Sequence, residues 1–205
     1  MNLQEKYTEL LLRIGFTEEQ TNSNWAAMEK AYSSKSRSYH NLNHIKEMVA
    51  LYDIYKSNLS HPNEVLYAIF YHDYIYKSTQ KDNEIKSADL AIKLLSESTN
   101  LNKTIVYDCI CVTKDHQFRN SEDEKWMIDF DLKILAKGWE DYKIYYEQIR
   151  KEYKIYPDFL YNPGRKKALE HFLEKKYIFQ TETFRAEFDS QARKNIQQEI
   201  DFLTI

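Results

Sequence analysis

Glycine and proline are scarce in this chain, three of each in 205 residues. A sandwich or barrel of many short strands needs more turn-forming residues than that, whereas Leu, Lys, Glu, Gln and Ala run through stretches that suit helices. The expected class is all-α, a helical bundle, and the length suits one domain over residues 1–205 with a sizeable core. Cysteine is nearly absent too. Cys109 and Cys111 stand two apart in an expected helix, where they point to different faces, which excludes a disulfide framework and a zinc knuckle. No apolar run approaches membrane-spanning length, and Met1-Asn2-Leu3-Gln4-Glu5-Lys6 lacks the basic-then-apolar order of a signal peptide. The expectation is a soluble, cytoplasmic protein without a membrane partner. Charge of one sign is missing as well: 29 basic and 32 acidic residues are interspersed, for a net charge of −3, with no basic stripe to meet nucleic acid. Aromatics are abundant instead, 17 Tyr and 10 Phe. Without interleaved Arg and Gly they read as large core positions rather than a base-stacking surface.

Apolar spacing places a first helix over 2–14, ended by Gly15, and Thr17-Glu18-Glu19-Gln20 reads as a capping box opening a second, with Trp25, Met28 and Tyr32 on one face. A helix beginning near Asn41 or Asn43 would turn Ile45, Met48, Val49 and Tyr52 inward and carry His44 in its first turn. Pro62 suits the first turn of a central helix on which Val65, Ile69, His72, Asp73 and Tyr76 share one face. Further helices are expected over 82–98, with Ile85, Ala88, Ala91, Ile92 and Leu95 inward, and over 102–115, followed by an apolar segment from Trp126 to Leu135. After Gly138 come 139–155, 158–179 with a restart near Pro163, and 181–203, whose Phe184, Phe188, Ala192, Ile196 and Ile200 form a stripe.

The stretch Ala68-Ile69-Phe70-Tyr71-His72-Asp73-Tyr74-Ile75-Tyr76 sets an imidazole and a carboxylate inside an apolar run. Either group is costly to bury unpaired, and neutral His with ionised Asp would repay that cost by binding a first-row metal. Two other apolar segments hold metal-competent groups: His44, and Asp129 or Asp131. Two His and two Asp suit a mixed nitrogen and oxygen site with open positions, more typical of Mn, Fe, Co, Ni or Mg than of structural zinc. His40 and His44 do not form a zinc-protease pair, because Asn41 stands where His-Glu-x-x-His places its general base.

In that order, a His, then His-Asp, then a distant Asp on successive helices, the chain resembles the HD superfamily of metal-dependent phosphohydrolases. The likeness to one predicted-phosphohydrolase branch runs through Arg37-Ser38-Tyr39-His40-Asn41-Leu42-Asn43-His44, Phe70-Tyr71-His72-Asp73, Asp82-Asn83-Glu84-Ile85-Lys86-Ser87-Ala88, Thr113-Lys114-Asp115-His116, Asp129-Phe130-Asp131-Leu132, Ile149-Arg150-Lys151-Glu152-Tyr153 and Ala192-Arg193-Lys194-Asn195, nearly the whole chain. Each motif is short, and their conjunction is what is specific.

The resemblance implies an HD-type helical domain with one divalent metal ion on His44, His72, Asp73 and Asp131, the last preferred over Asp129 because it directly precedes an apolar continuation at Leu132. It implies hydrolysis of a phosphate ester or anhydride on a small molecule, nucleotides included, with Asp73 in the catalytic centre and Glu84 positioning or deprotonating water. Arg37, His40, Lys114 and His116 would contact the substrate phosphate. Only His116 follows the His-Asp pair before the last Asp, whereas two-metal members carry more His there, so a single ion is expected. A catalytically silent module that binds a nucleotide and acts through partners is the alternative. Arg150, Arg165 and Arg193 read as carboxylate partners tying helices together, and His61 and His171 as surface or packing residues.

Overall fold

The computed structural model describes residues 2–95 and 99–203. Among them are ten α-helices and no strand, so the chain is all-α, and no helix is long and apolar enough to cross a membrane. The chain divides into two compact units, Met1–Phe130 and Asp131–Ile205.

The first unit holds α1 (Leu3–Arg13), α2 (Glu18–Tyr32), α3 (Leu42–Tyr55), α4 (Pro62–Tyr71), α5 (Asn83–Leu94), α6 (Lys103–Cys111) and α7 (Glu122–Leu132), and the division falls inside the last turn of α7. Side chains satisfy the orphan N–H groups that open these helices. Asn2 and Glu5 form a capping box on α1, Thr17 and Gln20 another on α2, and the Asn41 carboxamide accepts from the Asn43 N–H at the head of α3. Pro62 occupies the first turn of α4, where its missing N–H costs nothing.

α4 is the centre of this unit. Val65, Leu66, Tyr67, Ala68, Ile69, Phe70 and Tyr71 are all within 1% of complete burial, and α1, α3, α5 and α6 pack around them. A helix apolar on every face must be enclosed by others. Buried tyrosine hydroxyls in and around α4 are hydrogen-bonded: those of Tyr7 and Tyr71 lie 2.6 Å apart, Tyr32 of α2 donates to the Phe70 carbonyl and Tyr67 to the Ala91 carbonyl.

Three expectations need correction here. α4 stops at Tyr71, so Tyr76 does not share a helical face with His72; the carbonyls of Asp73 and Tyr74 and both backbone groups of Ile75 are taken by side chains from elsewhere, as described below. α5 ends at Leu94, and residues 96–98 of the expected 82–98 helix lie outside the described residues. Its Ile85 is exposed, because Asn83 and Ser87 take the inward positions to hold the preceding loop. α6 ends at Cys111, before Thr113-Lys114-Asp115-His116, which lie in the turns that follow. His61 is exposed, as expected of a surface residue, and it has a buried partner: Asp123, 1% exposed, accepts from the Ser60 and His61 N–H groups and lies 2.9 Å from His61 Nδ1.

In the second unit α10 (Glu182–Leu203) packs against α8 (Trp139–Glu152), α9 (Asp158–Glu174) and a short 3-10 turn, Lys133–Ala136. Phe184, Ala192, Ile196 and Ile200 form its buried stripe, with Phe188 half-buried. Arg165 of α9 meets buried Glu199 of α10 through two bonds of 2.7 and 3.0 Å, and Tyr142 of α8 donates to the same carboxylate. Arg150 holds Asp158 and the carbonyls of Tyr153 and Tyr156; Arg193 holds Asp189 and three carbonyls at the end of α9. Asn195 donates to the carbonyls of Leu135 and Lys137 at 2.8 Å each. α9 continues through Pro163, which sits on its exposed side, rather than restarting there.

Candidate metal centre

His72 is the residue at which α4 ends, and its Nδ1 lies 2.9 Å from the carbonyl of Ile69. A carbonyl only accepts, so Nδ1 carries a proton, and when the ring is neutral its Nε2 lone pair faces the other side. His44, in the first turn of α3, has its Nδ1 3.0 Å from the hydroxyl of Tyr39. The two Nε2 atoms face each other at 3.3 Å, and the residues are 3% and 1% exposed.

Two carboxylates lie near the imidazoles. Asp73 Oδ2 lies 3.1 Å from His72 Nε2 and 3.9 Å from His44 Nε2. Asp131, carried on the final turn of α7, offers an oxygen within 4.8 Å of both imidazoles. Donor atoms about 2.0–2.2 Å from one ion stand about 3.0–3.4 Å from each other, so the His44–His72 and His72–Asp73 spacings suit a shared cation as they stand. Donor chemistry agrees: two imidazoles with outward-committed Nδ1 atoms and the Asp131 carboxylate are donors that suit a divalent ion. His44, His72 and Asp131 could hold a metal ion; Asp73, beside His72, is not part of that group.

Burial alone would push the Asp73 carboxyl up, but the imidazoles of His72, His40 and His44 outweigh it and hold the group well below the usual carboxylate range. With a folded pKa below the unfolded one, Asp73 contributes stability that is present above the unfolded value of about 3.9 and is lost as pH falls toward the folded value. In chelator-treated protein, Asp73→Asn should therefore flatten the acid limb of a plot of Tm against pH. An acid limb unchanged by the substitution would mean that the imidazoles do not hold this carboxylate.

The loop after Asp73 is clamped from three sides. Arg37, 9% exposed, donates to the carbonyls of Asp73 at 2.6 Å, Tyr74 at 2.7 Å and His40 at 3.2 Å, with its guanidinium over the rings of Tyr32 and Tyr76. The Ser87 hydroxyl accepts from the Ile75 N–H and donates to the Ile75 carbonyl. Asn83 accepts from the Lys77 N–H and donates to the Lys77 carbonyl. Arg37 thus spends its fork on backbone oxygen, and what it does for the centre is to hold the segment that carries Asp73.

Of the other expected site residues, His40 is half-buried, stacked on Tyr76 at 4.2 Å between ring centroids, and close enough to Asp73 to act on its charge. Glu84 is half-buried in the first turn of α5. Lys114 is exposed in the turns after α6, and His116, half-buried there, adopts φ 53°, a left-handed conformation uncommon outside glycine. Asp129 is fully buried on α7 and is not part of the His44, His72 and Asp131 group.

Sequence reasoning assigned no role to Tyr39, Asn83 or Ser87, although all three stand inside the motifs that carry the resemblance, and it put Tyr76 on a helix face rather than against His40. The signal for Asn83 and Ser87 was spacing: four apart near a helix start, they fall on one face and replace apolar residues there. No protein-family profile, curated protein or solved structure matches this chain.

Proposed function

We propose that this protein is a cytoplasmic metal-dependent phosphohydrolase acting on a small phosphate ester or anhydride, nucleotides included, with His44, His72, Asp73 and Asp131 as the ligands of one divalent ion among Mn, Mg, Fe, Co and Ni. The observation that carries the reading is the pair of buried Nε2 atoms 3.3 Å apart, flanked by Asp73 and with Asp131 within reach. These four residues, far apart in the sequence on α3, at the end of α4 and on α7, are the ones that the resemblance to the HD superfamily singles out. A divalent ion held there would acidify a bound water and polarise a phosphoryl oxygen.

The chain's own groups divide the remaining work. His72 and His44 keep their Nδ1 atoms engaged and so aim Nε2 inward, while ionised Asp73 offsets positive charge at the centre. Glu84 takes the proton of the attacking water. His40, placed at the edge of the cluster by its stack on Tyr76, donates to the substrate phosphate, with Lys114 and His116 as further phosphate contacts.

Elemental analysis of the purified protein, beside a phosphate-release screen of nucleotides and phosphate esters with Mn, Mg, Co and Ni supplied, tests the reading. Stoichiometric metal with release is the expected result; absence of metal under every condition would overturn it. Within the active protein Glu84→Gln should retain metal and lose turnover by about 10²-fold or more. Full activity of that variant would take Glu84 out of the mechanism.

A further inference from the structure

The two imidazoles of the cluster are oriented by different means. His72 gives its Nδ1 proton to a main-chain carbonyl, that of Ile69, which no substitution can delete. His44 relies on a side chain: its Nδ1 lies 3.0 Å from the Tyr39 hydroxyl, and the two rings pack at 4.8 Å between centroids. Both residues are more than nine-tenths buried, 8% and 3% exposed. A phenolic hydroxyl can donate or accept. When it donates to Nδ1, the neutral imidazole carries its proton on Nε2 and cannot ligate through that atom. When it accepts, the proton sits on Nδ1 and the Nε2 lone pair faces His72.

We propose that Tyr39 is a positioning residue of the metal centre, its hydroxyl accepting from His44 Nδ1–H and thereby fixing both the orientation of the ring and the tautomer that ligates through Nε2. The proposal rests on the metal-binding reading above and adds to it a residue outside the ligand set. Tyr39 is itself held in place by the connection between α2 and α3, where the Asn41 N–H donates to its carbonyl at 2.7 Å and its ring lies edge-on to His40 at 5.0 Å. The arm that carries it is anchored through Arg37 to the His40 carbonyl, so the same connection serves both the imidazole of His44 and the loop of Asp73.

The test is a titration of metal-free protein with cobalt(II), following the visible absorption of the ion, on wild type, Tyr39→Phe and Tyr67→Phe. Tyr67→Phe is the control: it removes another buried hydroxyl, one that donates to the Ala91 carbonyl at 3.1 Å. Tyr39→Phe is expected to raise the Kd for cobalt by about 10- to 100-fold and to alter the absorption band, with the helical circular dichroism unchanged, while Tyr67→Phe binds as wild type does. Wild-type affinity in Tyr39→Phe, or an equal loss in Tyr67→Phe, would overturn the proposal. Wild-type protein that takes up no cobalt would overturn the metal-binding reading itself, which separates the two failures. If Tyr39→Phe does not fold, zinc-loaded wild type decides by NMR: a His44 Nδ1–H protected from exchange, with a cross-peak to the Tyr39 ring, supports the assignment, and its absence overturns it.

Discussion

His72→Ala is expected to take the bound metal from about one ion per chain to none while leaving the helical content nearly unchanged. His72 is the proposed ligand with most to lose because its Nε2 is within 3.3 Å of His44 Nε2 and 3.1 Å of Asp73, and it belongs to the group with Asp131 as well. Truncation removes the nitrogen common to all of those relations. It also leaves the Ile69 carbonyl without the Nδ1–H that it accepts from, a cost of about 1–3 kcal/mol for a buried group. That cost stays local, since α4 ends at this point and its apolar faces are packed by α1, α3, α5 and α6 independently of the imidazole. Elemental analysis and circular dichroism on the same sample check both halves. Unchanged stoichiometry would falsify the assignment of this residue as a ligand; lost helicity would show that the imidazole pair is instead part of what holds the first unit together.

How much of this was legible in the sequence varies with the range over which each feature is decided. The all-α class and most helix starts follow from local chemistry: Thr17 and Gln20 cap α2 because they are three apart, and Pro62 opens α4 because its ring suits a first turn. The burial of His44 and His72 was legible from the apolar residues spaced around them. Helix ends were harder. Nothing within Tyr71-His72-Asp73-Tyr74-Ile75 stops a helix; the stop comes from Arg37 and Ser87, which lie 36 and 12 residues away and capture the carbonyls of Asp73 and Ile75. The exposure of Ile85 has the same origin, because Asn83 and Ser87 face inward to serve that loop. Asp123 likewise meets Ser60 and His61 only across more than sixty residues. Tyr39 could have been suspected from its place five residues before His44, but its contact with Nδ1 depends on the chain bending into the start of α3 at Asn41, which spacing alone does not convey.

Arg37→Ala should be the substitution that most disturbs the centre without touching a ligand. Three backbone carbonyls, those of Asp73, Tyr74 and His40, accept from this guanidinium, and two aromatic rings, Tyr32 and Tyr76, lie against it. Removing the donors leaves the enclosed Asp73 carbonyl unsatisfied, and the aromatic contacts add to the loss; together they predict destabilisation of about 2–4 kcal/mol. Arg37→Lys should recover little, because a single ammonium on a flexible stem cannot span the Asp73 and Tyr74 carbonyls as a planar fork does. Urea unfolding monitored by circular dichroism gives the stability, and a cobalt titration of the folded fraction gives the affinity. Both should fall together, since the loop that loses its anchor is the one that presents Asp73 to His72. If Arg37→Ala lost stability and kept full metal affinity, the position of Asp73 would have to be held by Ser87 and Asn83 alone, and Arg37 would be a packing residue of the first unit. If Arg37→Lys matched wild type in both measurements, the fork geometry would be irrelevant and positive charge near the carbonyls sufficient. The expected result, a joint loss that lysine does not repair, would place the organisation of the centre in one buried cation held between the connection that carries His40 and the loop that follows His72.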